Sequence, residues 1–292
     1  MPFSTEMPNT LDSNPQRHWI DSHCHFDFQN FDLNREQHWQ QLQSFGCMGL
    51  VLPGVMASSW PALINLCQSK PWGYALGLHP YFLASHKNED IAFLEQLSRQ
   101  QLSTEAQGSN QLVAIGEFGL DFLLDSTQHN EQIDLCRQQF QLAQALKLPV
   151  ILHCRKAYDE TAAMIRRLGF SQGGIVHAFS GSYQQGIALI RLGFKLGVGG
   201  AMSHPRANKL RSTISCLPLD SLVLETDSPD MKPAFWQEAD NSPLTLLLLA
   251  QIVASLHRLS LDEVIFSSNN NLLAALPNLA AVLEFDRSRL KG

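Results

Sequence analysis

A chain of 292 residues, 45% of them hydrophobic and 16% charged, carries enough apolar material for a large globular core, which excludes the disordered and fibrous classes. Its formal charge of −6 excludes a broad basic footprint for nucleic acid, although bound cations could still present positive charge to such a substrate. The length suits either two ordinary domains or one α/β barrel of about 250 residues.

Six cysteines, at positions 24, 47, 67, 136, 154 and 216, are scattered without a CxxC pair, a usage that points to reduced thiols and a cytoplasmic setting. Residues 1–17 are polar and rich in Ser, Thr, Asn and Pro, with neither a basic start nor an apolar core of signal length. They are expected to form a disordered or loosely attached arm before a single domain of residues 18–292. The longest apolar run, Leu244 to Leu256, is too short to span a bilayer and is interrupted by Gln251, so no membrane attachment is expected.

From His18 onward, short apolar runs alternate with amphipathic segments. The first run, His18–His23, leads to a helix over Arg35–Phe45; the second, Met48–Val55, closes on Pro53-Gly54 and precedes a helix near Ser59–Gln68. The third, Trp72–Leu78, ends in His79-Pro80 and is followed by a polar helix around Asp90–Leu102. A Gly/Ser/Gln-rich loop at 107–111 precedes a fourth strand, Leu112–Gly116, which ends at Glu117 and leads to a long helix near Gln128–Leu146. The fifth strand, Leu148–Leu152, closes at His153 and Arg155, with a helix over Asp159–Leu168; the sixth, Gly174–Val176, ends at His177 before a helix over Tyr183–Leu192. Phe194–Val198 and Leu222–Glu225 are the seventh and eighth, the last closing on Thr226-Asp227-Ser228-Pro229, and roughly Leu244–Leu283 reads as helical. Eight β-then-α units without a composition break predict one (β/α)8 TIM barrel.

His23 and His25, two apart at the end of a strand, would share a face in extended chain and could grip one metal, with Cys24 pointing the other way. Alone the pair is weak, because 11 histidines produce such spacings by chance. Candidate ligands recur, however, at the ends of strands four (Glu117), five (His153), six (His177) and eight (Asp227), and in a barrel these ends converge on one mouth. Each residue has an ordinary alternative, as a helix cap, a polar core residue or a partner of a neighbouring Arg. Together, two carboxylates and four histidines buried without metal would cost several kcal/mol in desolvation. Six N/O ligands exceed one tetrahedral zinc and suit two divalent ions sharing a bridging carboxylate.

The stretches His23-Cys24-His25-Phe26-Asp27, Gly77-Leu78-His79-Pro80, Gly116-Glu117-Phe118-Gly119-Leu120-Asp121, Leu148 to Arg155, His177-Ala178-Phe179-Ser180-Gly181 and Glu225-Thr226-Asp227-Ser228-Pro229 together resemble the TatD family of metal-dependent deoxyribonucleases. The resemblance runs in order from about residue 19 to residue 277. It implies that His23, His25 and Asp227 hold one metal, His153 and His177 the second, and Glu117 bridges them, with His79 and Arg155 near the substrate phosphate. Divalent ions (Mg²⁺, Mn²⁺ or Zn²⁺) would lower the pKa of a shared water for attack on phosphorus and offset phosphoryl charge, with Asp227 the candidate general base. The expected substrate is DNA or another phosphodiester, cleaved as by a 3′-5′ exonuclease; no obligate protein partner and a monomeric state are expected.

Departures from the family pattern are Phe122 where a Tyr is usual, and the tail Asn269-Asn270-Asn271-Leu272-Leu273-Ala274. An amidohydrolase-like barrel acting on a carboxyl ester or amide, such as that of an aminoacyl-nucleic acid, is the alternative; it would want a closed pocket, whereas phosphate chemistry wants Arg155, Arg206 and Lys209 around the mouth. A barrel that only binds predicts missing ligands, and none is missing. Ser203 to Arg211 gathers basic residues that could clamp phosphates or form a solvated helix start, Trp236 could stack on a base, and His18, His38, His86, His129 and His257 read as surface or packing residues.

Overall fold

The computed structural model describes residues 17–68, 70–103 and 110–283. The amino-terminal arm up to residue 16 and residues 107–109 of the Gly/Ser/Gln-rich loop lie outside the described residues. The strands β1 (Trp19–Asp21), β2 (Cys47–Pro53), β3 (Trp72–Leu76), β4 (Leu112–Asp121), β5 (Val150–Arg155), β6 (Gly174–Val176), β7 (Phe194–Val198) and β8 (Leu222–Leu224) lie side by side in that order, every ladder parallel. Between and after them run α1 (Arg35–Ser44), α2 (Trp60–Cys67), α3 (Asp90–Ser103), α4 (His129–Leu146), α5 (Tyr158–Leu168), α6 (Tyr183–Ile190), α7 (Asn208–Cys216), α8 (Thr245–His257), α9 (Leu261–Ala275) and α10 (Leu279–Val282). The expected barrel is what the chain forms. No single helix among the described residues is long and apolar enough to cross a membrane.

The barrel closes where β8 meets β1. The Ser22 N–H donates to the Leu224 carbonyl at 3.1 Å and the Asp227 N–H to the His23 carbonyl at 2.9 Å. Asp21 reinforces this seam, its buried carboxylate accepting from the Thr226 N–H at 3.1 Å, the Thr226 hydroxyl at 2.6 Å and the His23 N–H at 3.1 Å. Burial pushes the Asp21 carboxyl up to about 8, against the opposing effect of those hydrogen bonds.

Side chains alternate across the strands, so two separate apolar layers form. Leu50, Leu52, Val150 and Leu152 face the outer layer between strands and helices. Ile20, Val51, Ala75, Val113, Ile151, Ile175 and Val223 face inward and join Leu272, Leu276 and Leu279 of the terminal helices, which cover the amino-terminal end of the barrel. Counting in twos from this inner layer leads from Ala75 to His79, from Ile151 to His153, from Ile175 to His177, and from Val223 to Glu225 and Asp227. In these four strands the apolar plug below thereby sets which residues face the mouth above.

Three strand ends near the site differ from the expectation. β4 and β5 run on to Asp121 and Arg155, pairing Gly119 with His153 and Asp121 with Arg155, so Glu117 and His153 lie within strands and not beyond their ends. Gly119 permits the close ladder, because a Cβ there, at φ +152°, would sit 1.9 Å from the His153 carbonyl oxygen. β1, in contrast, stops at Asp21, and a bend at residues 22–23 shifts the side-chain parity by one. That bend, not a continuing strand, lets His23 and His25 face inward although Ile20 does too.

Buried glutamines on one face of α4 hold the adjoining strand ends. Gln139 accepts the Leu78 N–H at 2.8 Å and donates to the Leu78 carbonyl at 3.1 Å; Gln132 does the same for Asp121, at 2.9 and 3.2 Å. Each amide copies the pairing of a neighbouring strand. Gln139→Leu should leave both Leu78 groups buried without partners and lower stability by about 3 kcal/mol, since each orphan costs roughly 1–3 kcal/mol. Urea denaturation checks this; a loss below about 1 kcal/mol would show that the Leu78 main chain finds other partners.

Candidate metal centre

The barrel mouth brings His23, His25, Glu117, His153, His177 and Asp227 together. Glu117, 2% exposed, lies at the centre: its Oε2 is 3.2 Å from His23 Nε2 and 3.6 Å from His25 Nε2. Its Oε1 is 2.9 Å from His177 Nε2, 3.3 Å from His153 Nδ1 and 3.2 Å from His79 Nε2. Asp227 Oδ1 stands 3.4 Å from His23 Nε2 and 3.5 Å from His25 Nε2. The Asp227 backbone is left-handed, with φ +55°, a conformation that a non-glycine residue adopts only where its surroundings hold it.

Much of this close approach is not hydrogen bonding. The Nδ1 and Nε2 atoms of His23, Nδ1 of His25, Oε1 of Glu117 and Nδ1 of His177 are all buried without an aligned hydrogen-bond partner. Ligand atoms of His23, His25 and Glu117, of His23, His177 and Asp227, and of His79, Glu117 and His153 form three groups, each within 4.8 Å. Lone pairs that converge on common points, carried by imidazole and carboxylate, fit a divalent cation with N/O preference.

Hydrogen bonds behind the rings separate ligands from donors. His153 Nε2 is 3.1 Å from the Asp121 carboxylate, so this nitrogen carries the proton and Nδ1 turns its lone pair to the centre. His79 is the reverse: its Nδ1 accepts the Tyr81 N–H at 3.1 Å, which leaves the proton on Nε2, directed at Glu117. Although His79 stands close enough to be a ligand, its tautomer makes it a hydrogen-bond donor. For His177, Nδ1 lies 3.6 Å from the buried Glu225 carboxylate, which itself accepts the Ala178 N–H at 2.5 Å.

The charges divide unequally. Burial pushes the His23 and His25 imidazoles down, to about 4 and about 3, so both rings are neutral and ready to coordinate. Burial alone would raise Glu117, but His177, His79 and His23 around it outweigh that and hold its carboxyl well below the usual range. His177 is the complement: burial disfavours its charge, yet Glu117 and Asp227 hold it well above the ordinary imidazole value. Burial pushes Asp227 well above the carboxylate range, and the neighbouring Glu117 charge adds to the effect.

Arg155, whose side chain is 60% exposed, stands at the rim with Nη1 3.9 Å from Asp121 Oδ2. Cys24 is fully buried in the outer apolar layer, away from the centre as expected. The basic stretch after β7 is only partly available. Arg211 turns back to bond the Met202, His204 and Pro205 carbonyls and the Asn208 side chain, bracing its own loop, while Arg206 and Lys209 are exposed. Sequence reasoning assigned no role to Asp121, Glu225 or Asp21. Glu225 could have been found from its inner-face parity with Asp227, and Asp121 from its place opposite Arg155 in the next strand.

A parallel eight-stranded barrel with a His/Glu/Asp cluster buried in its mouth is the architecture of a metal-dependent hydrolase. The profile described as "TatD related DNase" matches residues 20–276, and the chain belongs to that family. It is 37% identical over 254 residues to the uncharacterized metal-dependent hydrolase YjjV of Escherichia coli K12, covering 87% of this chain and 95% of that one. A 3′-5′ ssDNA/RNA exonuclease TatD from Erwinia billingiae is 31% identical over 236 residues, covering 77% of this chain and 86% of its own length. The crystal structure of YjjV superposes with a TM-score of 0.84 at 35% identity, over 90% of this chain and 99% of that one.

Cations bind these ligands only in deprotonated form, so loading should release the protons held on His177 and Asp227, and affinity should rise as pH rises. Calorimetric titration with Mn²⁺ in buffers of different ionisation enthalpy should show that release; a buffer-independent heat would contradict it. Asp121→Asn should weaken metal affinity about tenfold to a hundredfold by freeing the His153 ring, as measured by competition with a chromogenic chelator.

Proposed function

We propose that the protein is a nucleic-acid phosphodiesterase, a deoxyribonuclease of the 3′-5′ exonuclease type, working with two divalent ions. The observation that carries this reading is the exposed Arg155 guanidinium beside the buried ligand cluster, at the edge of a cleft of about 650 Å³ that the cluster floors. A cation at the rim of an accessible cleft suits a phosphodiester backbone better than a small amide. The exonuclease named TatD among the relatives points the same way.

In this reading His23, His25 and Asp227 would hold one ion, His153 and His177 the other, and Glu117 would serve both. Bound ions such as Mg²⁺, Mn²⁺ or Zn²⁺ would supply Lewis-acid polarisation of the phosphoryl group and acidify the attacking water. Asp227 reaches both the cluster and the cleft, its side chain 14% exposed, and so can take up a proton from water as general base. His79, with its proton on Nε2 3.2 Å from Glu117 Oε1, offsets the Glu117 charge. Arg155 binds the phosphate across the rim and orients it. Asp121 and Glu225 keep His153 and His177 turned to the centre.

Single-stranded DNA, RNA and simple phosphodiesters, each assayed with and without chelator, test the class. Cleavage that survives chelation would overturn it. Asp227→Asn should cut turnover at least about a hundredfold in a protein that stays folded by circular dichroism, and turnover near wild type would remove the proposed base. Arg155→Ala should raise KM several-fold more than it lowers kcat; the reverse pattern would place Arg155 in the chemical step.

A further inference from the structure

The cleft has two unlike walls. Loops after β1, β2 and β3 contribute Phe28, Val55, Tyr81 and Phe82, whereas the end of β5 contributes Arg155 and the loops after β6 and β8 contribute Ser180 and Asp230. In a barrel ordered β1 to β8, the loops after β1 and β2 lie opposite those after β5 and β6 across the mouth, with the cluster between them, while the loop after β8 adjoins the one after β1. The proposed phosphodiesterase chemistry uses the floor and Arg155. It leaves the aromatic wall without a task.

Tyr81 is 68% exposed, in a chain that fully buries Trp19, Trp60, Trp72 and Phe118. Its ring stands nearly perpendicular to Phe82, with centroids 5.2 Å apart at 81°. Phe28 lies flat on the His25 imidazole, at 4.5 Å and 20°, and joins the same wall to the cluster. The main chain that carries Tyr81 is held in place: its N–H donates to His79 Nδ1, and His86 Nε2 bonds the His79 carbonyl at 2.8 Å. The same His79 touches Glu117 through Nε2 at 3.2 Å, so the platform stands at a set position relative to the floor. An exposed aromatic surface beside a cluster suited to phosphate chemistry matches a ligand with a flat ring at one end and a phosphate at the other.

We propose that Phe28, Tyr81 and Phe82 form a nucleobase subsite, in which the base of the nucleotide being processed stacks on Tyr81 while its phosphate lies over the floor beside Arg155. The proposal rests on the phosphodiesterase reading and adds to it the part of the substrate that is recognised. Stacking on an aromatic face is tolerant of sequence, because every base has a π-face, so the subsite selects nucleotides without selecting among bases. The cleft volume of about 650 Å³ falls within the roughly 300–1,000 Å³ of small-ligand sites, enough for a mononucleotide.

The test is calorimetric titration of the metal-loaded protein with deoxyadenosine 5′-monophosphate and with deoxyribose 5-phosphate, which lacks only the base. Wild type should bind the nucleotide about tenfold or more tightly than the sugar phosphate, the size expected of one stacked base. Tyr81→Ala should abolish most of that difference, and Tyr81→Phe should keep it; the exposure of Tyr81 makes a folding defect in either variant easy to distinguish by circular dichroism. Equal affinity for the two ligands in wild type, equal losses for both in Tyr81→Ala, or no binding of either at millimolar concentration would overturn the subsite. Cleavage of single-stranded DNA, assayed alongside, separates the two ideas. Base-dependent binding without cleavage would sink the phosphodiesterase reading and leave the subsite standing, whereas cleavage with base-independent binding would do the opposite.

Discussion

A carboxylate at the centre of a barrel mouth has to be neutralised where it stands, and Glu117, 2% exposed, meets that constraint with imidazoles from β5 and from the segments that follow β1, β3 and β6. Burying an isolated carboxylate is costly enough that it would take up a proton instead. Surrounded by His177, His79 and His23, it stays ionised and becomes the point on which the strand ends are aligned. Much of the rest of the molecule follows from delivering those rings to within about 3–3.6 Å of one side chain.

Delivery takes more than strands. Three of the rings have a partner on their far side that bears on their orientation. Asp121 is that partner for His153, the Tyr81 N–H for His79, and Glu225 stands behind His177. The kind of partner behind the ring decides its chemistry. A carboxylate behind His153 leaves a lone pair facing inward, whereas an N–H behind His79 leaves a proton facing inward. Two histidines at similar distances from Glu117 thus turn unlike nitrogens toward it, one with a lone pair and one with a proton.

Closure of the barrel serves the same centre. β8 meets β1 through Asp21, whose carboxylate accepts from Thr226 and from the main chain of His23, next to Asp227 and His25 on either side of the seam. The contact that finishes the cylinder is therefore also the one that places cluster residues from opposite ends of the chain side by side. α4 contributes from outside, where Gln139 and Gln132 secure the segments leading to His79 and ending in Asp121.

The alternation of apolar runs and helical segments, and the His, Glu and Asp residues near the strand ends, are local patterns, and from them the sequence by itself determined the barrel and the membership of the central cluster. Period-two alternation needs only neighbouring residues, so Ile151 and Ile175 on the inner face already imply His153 and His177 above them. What only the tertiary structure decided depends on partners far apart in the chain. The bend at residues 22–23 that turns His23 and His25 inward follows from the seam with β8, some 200 residues away. The proton positions on His79 and His153, the bracing role of Arg211 and the strand-like amides of Gln132 and Gln139 have the same origin. A side chain's hydrogen-bond partner is set by what the fold places beside it, and no local period carries that information.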